Sequence, residues 1–144
     1  MIKLIDNSKI KETAKNKLKV IEELFKNESI NYNFNKFIEK YILCENMYKL
    51  LLISYKQSRN EIINMNSLKV SMNTAPSVMK YAQIEIEKEI LSKIFSADDI
   101  RNNKSCKKLR DSINHKINVE DIYEINNRYD ELINYMEIFL NKFR

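Results

Sequence analysis

Glycine is absent from the 144-residue chain, and Pro76 is its only proline. Tight hairpin turns draw on Gly for a positive backbone φ. A chain without it argues against a β-rich fold and for helices joined by Asn- and Ser-rich loops. The same absence excludes a glycine-based phosphate loop, whether of the nucleotide-triphosphatase or the dinucleotide type. Trp is also missing, Cys44 and Cys106 are the only cysteines, and His115 is the only histidine. The two cysteines are far apart, without metal-ligand spacing, and a single His leaves no Cys/His zinc set. Both sit among apolar residues and read as buried free thiols. Neither a metal nor a cofactor is expected. The longest apolar run, Leu50 to Ile53, is far below membrane-spanning length. Met1-Ile2-Lys3-Leu4-Ile5-Asp6 lacks the long apolar stretch and small-residue cleavage site of a signal peptide. Cytoplasmic residence without a membrane is the expectation.

The residues that are present make an ordinary globular mixture, 44% hydrophobic and 31% charged. That suits one domain over 1–144 with a core of normal size. The net charge of +5 fits a polyanionic partner, and it fits plain solubility equally well. Heavy use of Lys, Asn and Ile points to an AT-rich coding sequence, as in a low-GC bacterium or its mobile elements.

Periodicity predicts an all-α, single-domain bundle of about five helices. The first is expected from about Ser8, as N-cap, to Lys26, with Ile10, Ala14, Leu18, Ile21, Leu24 and Phe25 at helical spacing. A long stretch from Tyr32 to Met65 reads as one helix or as two with a kink. Asn64 to Ala75 reads as a loop, because the alternation of Leu68 to Met72 is too short for a strand. Pro76 suits the first turn of a helix carrying Val78, Tyr81, Ile84, Ile90, Leu91 and Ile94. Ser96 is expected to cap a helix with Asp98 and Asp99 in its first turn, reaching past Arg110. Asn118 and Asp121 resemble a capping box. It would open an unbroken last helix whose apolar positions run from Ile122 to Phe143. The aromatic stripes read as core.

The chemistry-bearing stretch is Arg110-Asp111-Ser112-Ile113-Asn114-His115. His is the side chain whose ordinary pKa, about 6.5, suits proton transfer near neutrality. Five residues separate it from Arg110, about 140° round a helix at roughly 100° per residue. The two converge only if the helix distorts or ends between them, and the cap at Asn118 would place a helix junction nearby. Lys104, Lys107, Lys108 and Lys116 make the surroundings basic, with Asp111, Glu120 and Asp121 as the neutralising acids. Such a cluster attracts phosphates. A guanidinium fork can hold a phosphodiester and stabilise its transition-state charge. An imidazole can move the proton of a 2′-OH or of a leaving 5′-oxygen.

Arg110-Asp111-x-x-x-His115 resembles the Arg-polar-x(3–5)-His motif of the HEPN superfamily, the higher eukaryote and prokaryote nucleotide-binding domains. That superfamily includes toxin RNases and abortive-infection proteins. The likeness covers about the last fifty residues, where a short connection from Ile117 to Asp121 leads into an amphipathic helix. It implies a HEPN-like bundle and a metal-independent endoribonuclease acting in bacterial toxin or phage-defence settings. RNA would be cut through 2′-OH attack. Arg110 would bind phosphate, His115 would transfer protons, and Asp111 would orient one of them or the backbone. Lys104, Lys107, Lys108 and Lys116 would hold RNA. A homodimer with the two motifs facing is implied, and an antitoxin or regulatory protein is a further candidate partner. Where some members carry a tyrosine two residues after the His, this chain has Ile117. For the family's additional polar residue on an earlier helix, Glu45 and Ser54 are both candidates. The rival expectations are a catalytically inactive HEPN-like module binding RNA, a nucleotide or a protein, and a DNA-binding regulator. The latter is disfavoured by the lack of a helix-turn-helix turn.

Overall fold

The computed structural model describes residues 7–98, 103–115 and 118–144. Among them are seven α-helices and no strand: α1 (Asn7–Phe25), α2 (Glu28–Ser58), α3 (Ala75–Tyr81), α4 (Lys88–Phe95), α5 (Cys106–His115), α6 (Val119–Asn127) and α7 (Tyr129–Asn141). A 3-10 turn, Met65–Ser67, lies in the connection between α2 and α3. The all-α class stands, and the count of about five is replaced by seven.

α2 is the axis of the bundle, packing against α7, α6, α1, α3 and α5. Phe37, Tyr41, Cys44, Tyr48 and Leu52 step along it by three and four, and all are buried. With no Pro or Gly to kink it, the stretch forms one 31-residue helix. Asn27 caps its start, its side chain accepting from the Ile30 N–H at 3.1 Å. α7 brings Leu132, Met136 and Phe139 to the same core, α4 brings Leu91, Ile94 and Phe95, and α5 brings Cys106 and Leu109. Phe95 sits between Tyr48 and Phe139, at 5.1 and 5.2 Å between ring centroids. Cys44 and Cys106 are buried free thiols. Burial pushes the Cys44 thiol up to about 12 and Cys106 in the same direction, so neither is a nucleophile near neutrality.

The extra helices come from breaks that periodicity does not reveal. The segment starting at Pro76 splits into α3 and α4 because Gln83 turns to φ 57°. The Ile84 N–H then bonds back to the Met79 carbonyl at 2.9 Å and the Gln83 N–H to Lys80 at 3.1 Å. That pair of bonds is a Schellman closure. α2 ends the same way, with Asn60 at φ 56° and the Glu61 N–H on the Lys56 carbonyl at 3.0 Å. In a chain without glycine, Asn and Gln occupy the left-handed positions that Gly normally takes.

The segment after Ser96 also departs from expectation. Ser96 closes α4, while its hydroxyl accepts from the Asp98 N–H at 3.1 Å. Asp99 falls outside the described residues. α5 starts ten residues later, where the Ser105 hydroxyl accepts from the Lys108 N–H at 3.1 Å. Ser8 is not an N-cap, since the helix is already running at Asn7. Only the C-terminal end of α1 reaches the core, with Leu24 packed on Ile30 and Ile122. Ile10 and Leu18 of its apolar stripe are exposed.

The last helix breaks at Arg128, whose φ/ψ of −104°/16° leaves the helical region. Its guanidinium donates to Glu124 at 2.6 Å, to Glu131 at 3.0 Å and to the Lys104 carbonyl at 2.8 Å. Glu124 also accepts the Lys104 backbone N–H at 3.1 Å. Both side chains of the Arg128–Glu124 pair are almost buried, 13% and 8% exposed. This network ties the α6–α7 junction to the segment that launches α5. Arg128→Ala strands the Glu124 carboxylate and should cost about 3 kcal/mol of stability, lowering the melting temperature by about 10 °C. Glu131 adds a pH signature, because the hydrogen bond from Arg128 holds its carboxyl below the usual range. Its contribution is whole above the unfolded pKa of about 4.3 and is lost as pH falls through the lower folded value. The stability gap between wild type and variant should therefore narrow in acid. Thermal melts at neutral pH and at about pH 3 check both statements.

Candidate functional site

α5 is fixed from beneath and from its start. Cys106 and Leu109 bury its inner face and Ile113 packs beside them. The Ser105 cap and the Glu124–Lys104 bond set where it begins. Lys107, Lys108 and Asp111, half-buried, and the exposed His115 then follow along the helix away from that inner face. Asp111 and His115 are four residues apart and share one face of α5.

These two residues form the ridge between two open clefts. The first, about 500 Å³, is lined by Lys17, Lys104, Lys108, Asp111, Ser112, His115, Asn118 and Asp121. The second, about 350 Å³, lies toward α2 and is lined by Tyr41, Glu45, Lys107, Asp111, His115 and residues 68–70. His115 is the last residue of α5 and is exposed. Asn118 caps α6 beyond it, accepting from the Glu120 N–H at 3.0 Å. Asp121 does not complete a capping box; its carboxylate takes the Lys104 ammonium at 2.8 Å. Asp111 is paired with Lys107 at 2.9 Å. Two of the acids among the basic cluster are thus matched to lysines of that cluster. Among the described residues no group of His, Cys, Asp and Glu stands close enough to hold a metal ion.

Arg110 does not join this face. α5 runs unbroken through His115, so the helix ends after the pair and not between its members. The two side chains are left about 140° apart, at roughly 100° per residue. Arg110 lines neither cleft. It lies half-buried beside the apolar face of α5, donates to the Asn114 side chain one turn on, and keeps its Nε buried without a hydrogen-bond partner. The structure thus brings together His115, Asp111, Lys104, Lys107 and Lys108, and sets Arg110 apart from them. Lys116 lies outside the described residues.

No family model, curated protein or solved structure matches the chain.

The reading of the site therefore rests on its geometry. Of the two earlier-helix candidates, Glu45 lines the second cleft with His115 and pairs with Lys49 at 2.8 Å. Ser54 lies elsewhere, its hydroxyl bonded to that of Tyr81 at 3.1 Å. Sequence reasoning missed Lys17 altogether. Its signal was present: Ile10, Ala14, Lys17, Ile21 and Leu24 step by four and three, so a lysine interrupts the apolar spacing of α1. No helix among the described residues is long and apolar enough to cross a membrane.

Proposed function

We propose that the chain is an endoribonuclease of the HEPN kind, working without a metal. The observation that carries this reading is the solvent-open His115–Asp111 ridge between two clefts with Lys104, Lys107 and Lys108 in their walls. A phosphodiester crossing the ridge would put its neighbouring nucleotides into the two clefts, with lysines on either side to attract the backbone. His115 accepts the proton of the 2′-OH as that oxygen attacks phosphorus. The P–O5′ bond breaks, and the protonated His115 of a second copy delivers a proton to the leaving oxygen. The products are a 2′,3′-cyclic phosphate and a 5′-OH. Asp111 orients the imidazole from one turn below or holds Lys107 in place beside it.

Arg110 has a role only if it meets another copy's bound phosphate. A twofold dimer with α5 facing α5 would offer that, each strand meeting side chains of both chains. Bacterial toxin or phage-defence work in the cytoplasm, under an antitoxin or regulatory protein, is the setting that suits such an enzyme.

The second reading is a catalytically silent HEPN-like module that binds RNA, a nucleotide or a protein partner. It is favoured by the engagement of Arg110 with Asn114 in place of the cleft. Labelled RNA incubated with the purified protein in EDTA separates the two. Cleavage to cyclic-phosphate ends that persists in EDTA is the expected outcome. Binding without cleavage, with or without Mg²⁺, would leave the binding module, and strict Mg²⁺ dependence would remove the metal-free mechanism.

A further inference from the structure

We propose that α1 is the second wall of the polynucleotide path, and that Lys17 takes a phosphate across the first cleft from Lys108 and His115. This rests on the reading of the ligand as RNA. Three observations lead to it. Among the described residues Lys17 is the one of α1 lining the first cleft, together with side chains of α5 and the segments flanking it. It stands at the spacing of the apolar residues Ile10, Ala14, Ile21 and Leu24 and is itself exposed, on the part of α1 that does not reach the core. It also makes no ion pair with any described residue, whereas Asp121 and Asp111, the two acids of the cleft, are already bonded to Lys104 and Lys107. A strand lying there meets an uncommitted ammonium on a flexible stem, held on a helix whose C-terminal end is anchored by Leu24.

The lining also says which part of the polynucleotide is gripped. Among the described residues the first cleft has no Phe, Tyr or Trp, only lysines, acids, Ser112, Asn118 and His115. Base stacking, the usual source of sequence-tolerant affinity for single strands, has only the small His115 ring there. Recognition falls on the phosphate backbone. Binding through this cleft is then strongly salt-dependent and weakly dependent on base sequence.

The experiment uses the whole protein and a fluorescent single-stranded 2′-O-methyl oligonucleotide, which lacks the attacking hydroxyl and stays intact. Anisotropy titrations are run over a range of salt concentrations. Lys17→Gln keeps helix propensity, since Lys and Gln are close on that scale, so its melting temperature should match wild type. It should weaken binding about fivefold in ~0.1 M salt and reduce the slope of log affinity against log salt by about 0.7, the value of one single-strand phosphate contact. Lys142→Gln, in the separate groove between α3, α4 and α7, should change neither. If Lys17→Gln binds with the wild-type affinity and slope, the second wall is overturned while the RNA reading survives. Equal losses in both variants would likewise overturn it, in favour of bulk charge. A wild type that binds no oligonucleotide would overturn the inference together with the reading on which it rests.

Discussion

His115→Ala should lower RNA cleavage by about 10²- to 10⁴-fold, the usual range for loss of a general acid–base residue, without measurable change in helical content or melting temperature. The second half follows from position. His115 is the terminal residue of α5, exposed, and outside the apolar core, so truncating it removes no packing, and exposed substitutions of this kind sit within about 0.5 kcal/mol. The first half follows from its being the only imidazole in the chain and from its place on the ridge shared by both clefts. Arg110→Ala should lower cleavage comparably while the fold holds, because Arg110 lies beside the core and not in it. Product analysis on a labelled oligonucleotide, alongside circular dichroism melts, reads both effects. Two variants that cut like wild type would remove the assignment. A variant that fails to fold would mark its residue as structural.

The candidate site was legible where it depends on spacing within one helix. Asp111 and His115, and Lys107 with Asp111, are four residues apart, so any helix covering them puts each pair together. It was not legible where it depends on where a helix stops. Arg110 and His115 could converge only through a break between them, and the break falls after His115 because α5 stays helical to its last residue. The same limit applies to the fold. The apolar faces of α2 and α7 were plain from their three-and-four spacing. The splits at Gln83 and Arg128 were hidden, because neither residue is a helix breaker by type. Gln83 breaks by adopting a positive φ. At Arg128 the break coincides with a guanidinium shared between Glu124, Glu131 and the Lys104 carbonyl, a set of partners assembled only by tertiary contact. Lys17 escapes sequence reasoning for the opposite reason: it looks like one more surface lysine of a basic helix, although it breaks an apolar stripe.

Assembly is where the proposed mechanism meets its hardest test. The reaction must take one proton from the 2′-OH and give one to the 5′-oxygen, and each copy offers a single His. Within one copy Arg110 also points about 140° away from His115, at roughly 100° per residue. A twofold dimer with the two His115 faces opposed answers the first shortage, since each phosphate then meets two His, and an Arg110 joins them only by reaching round from the flank of its helix. Wild-type and His115→Ala chains, carrying different tags, can be mixed, unfolded, refolded together and separated, so that the heterodimer is assayed alone. If one His removes the proton and the other delivers one, the heterodimer should fall to about a hundredth of wild-type activity, the lower end of the loss expected for an acid–base group. Heterodimers at half the wild-type rate would mean two independent sites and would end the shared-site arrangement. A protein that is monomeric by light scattering and still cleaves RNA would end it too. The proton pair would then have to come from His115 and a side chain of the same copy, and Glu45, across the second cleft, is the carboxylate to change next.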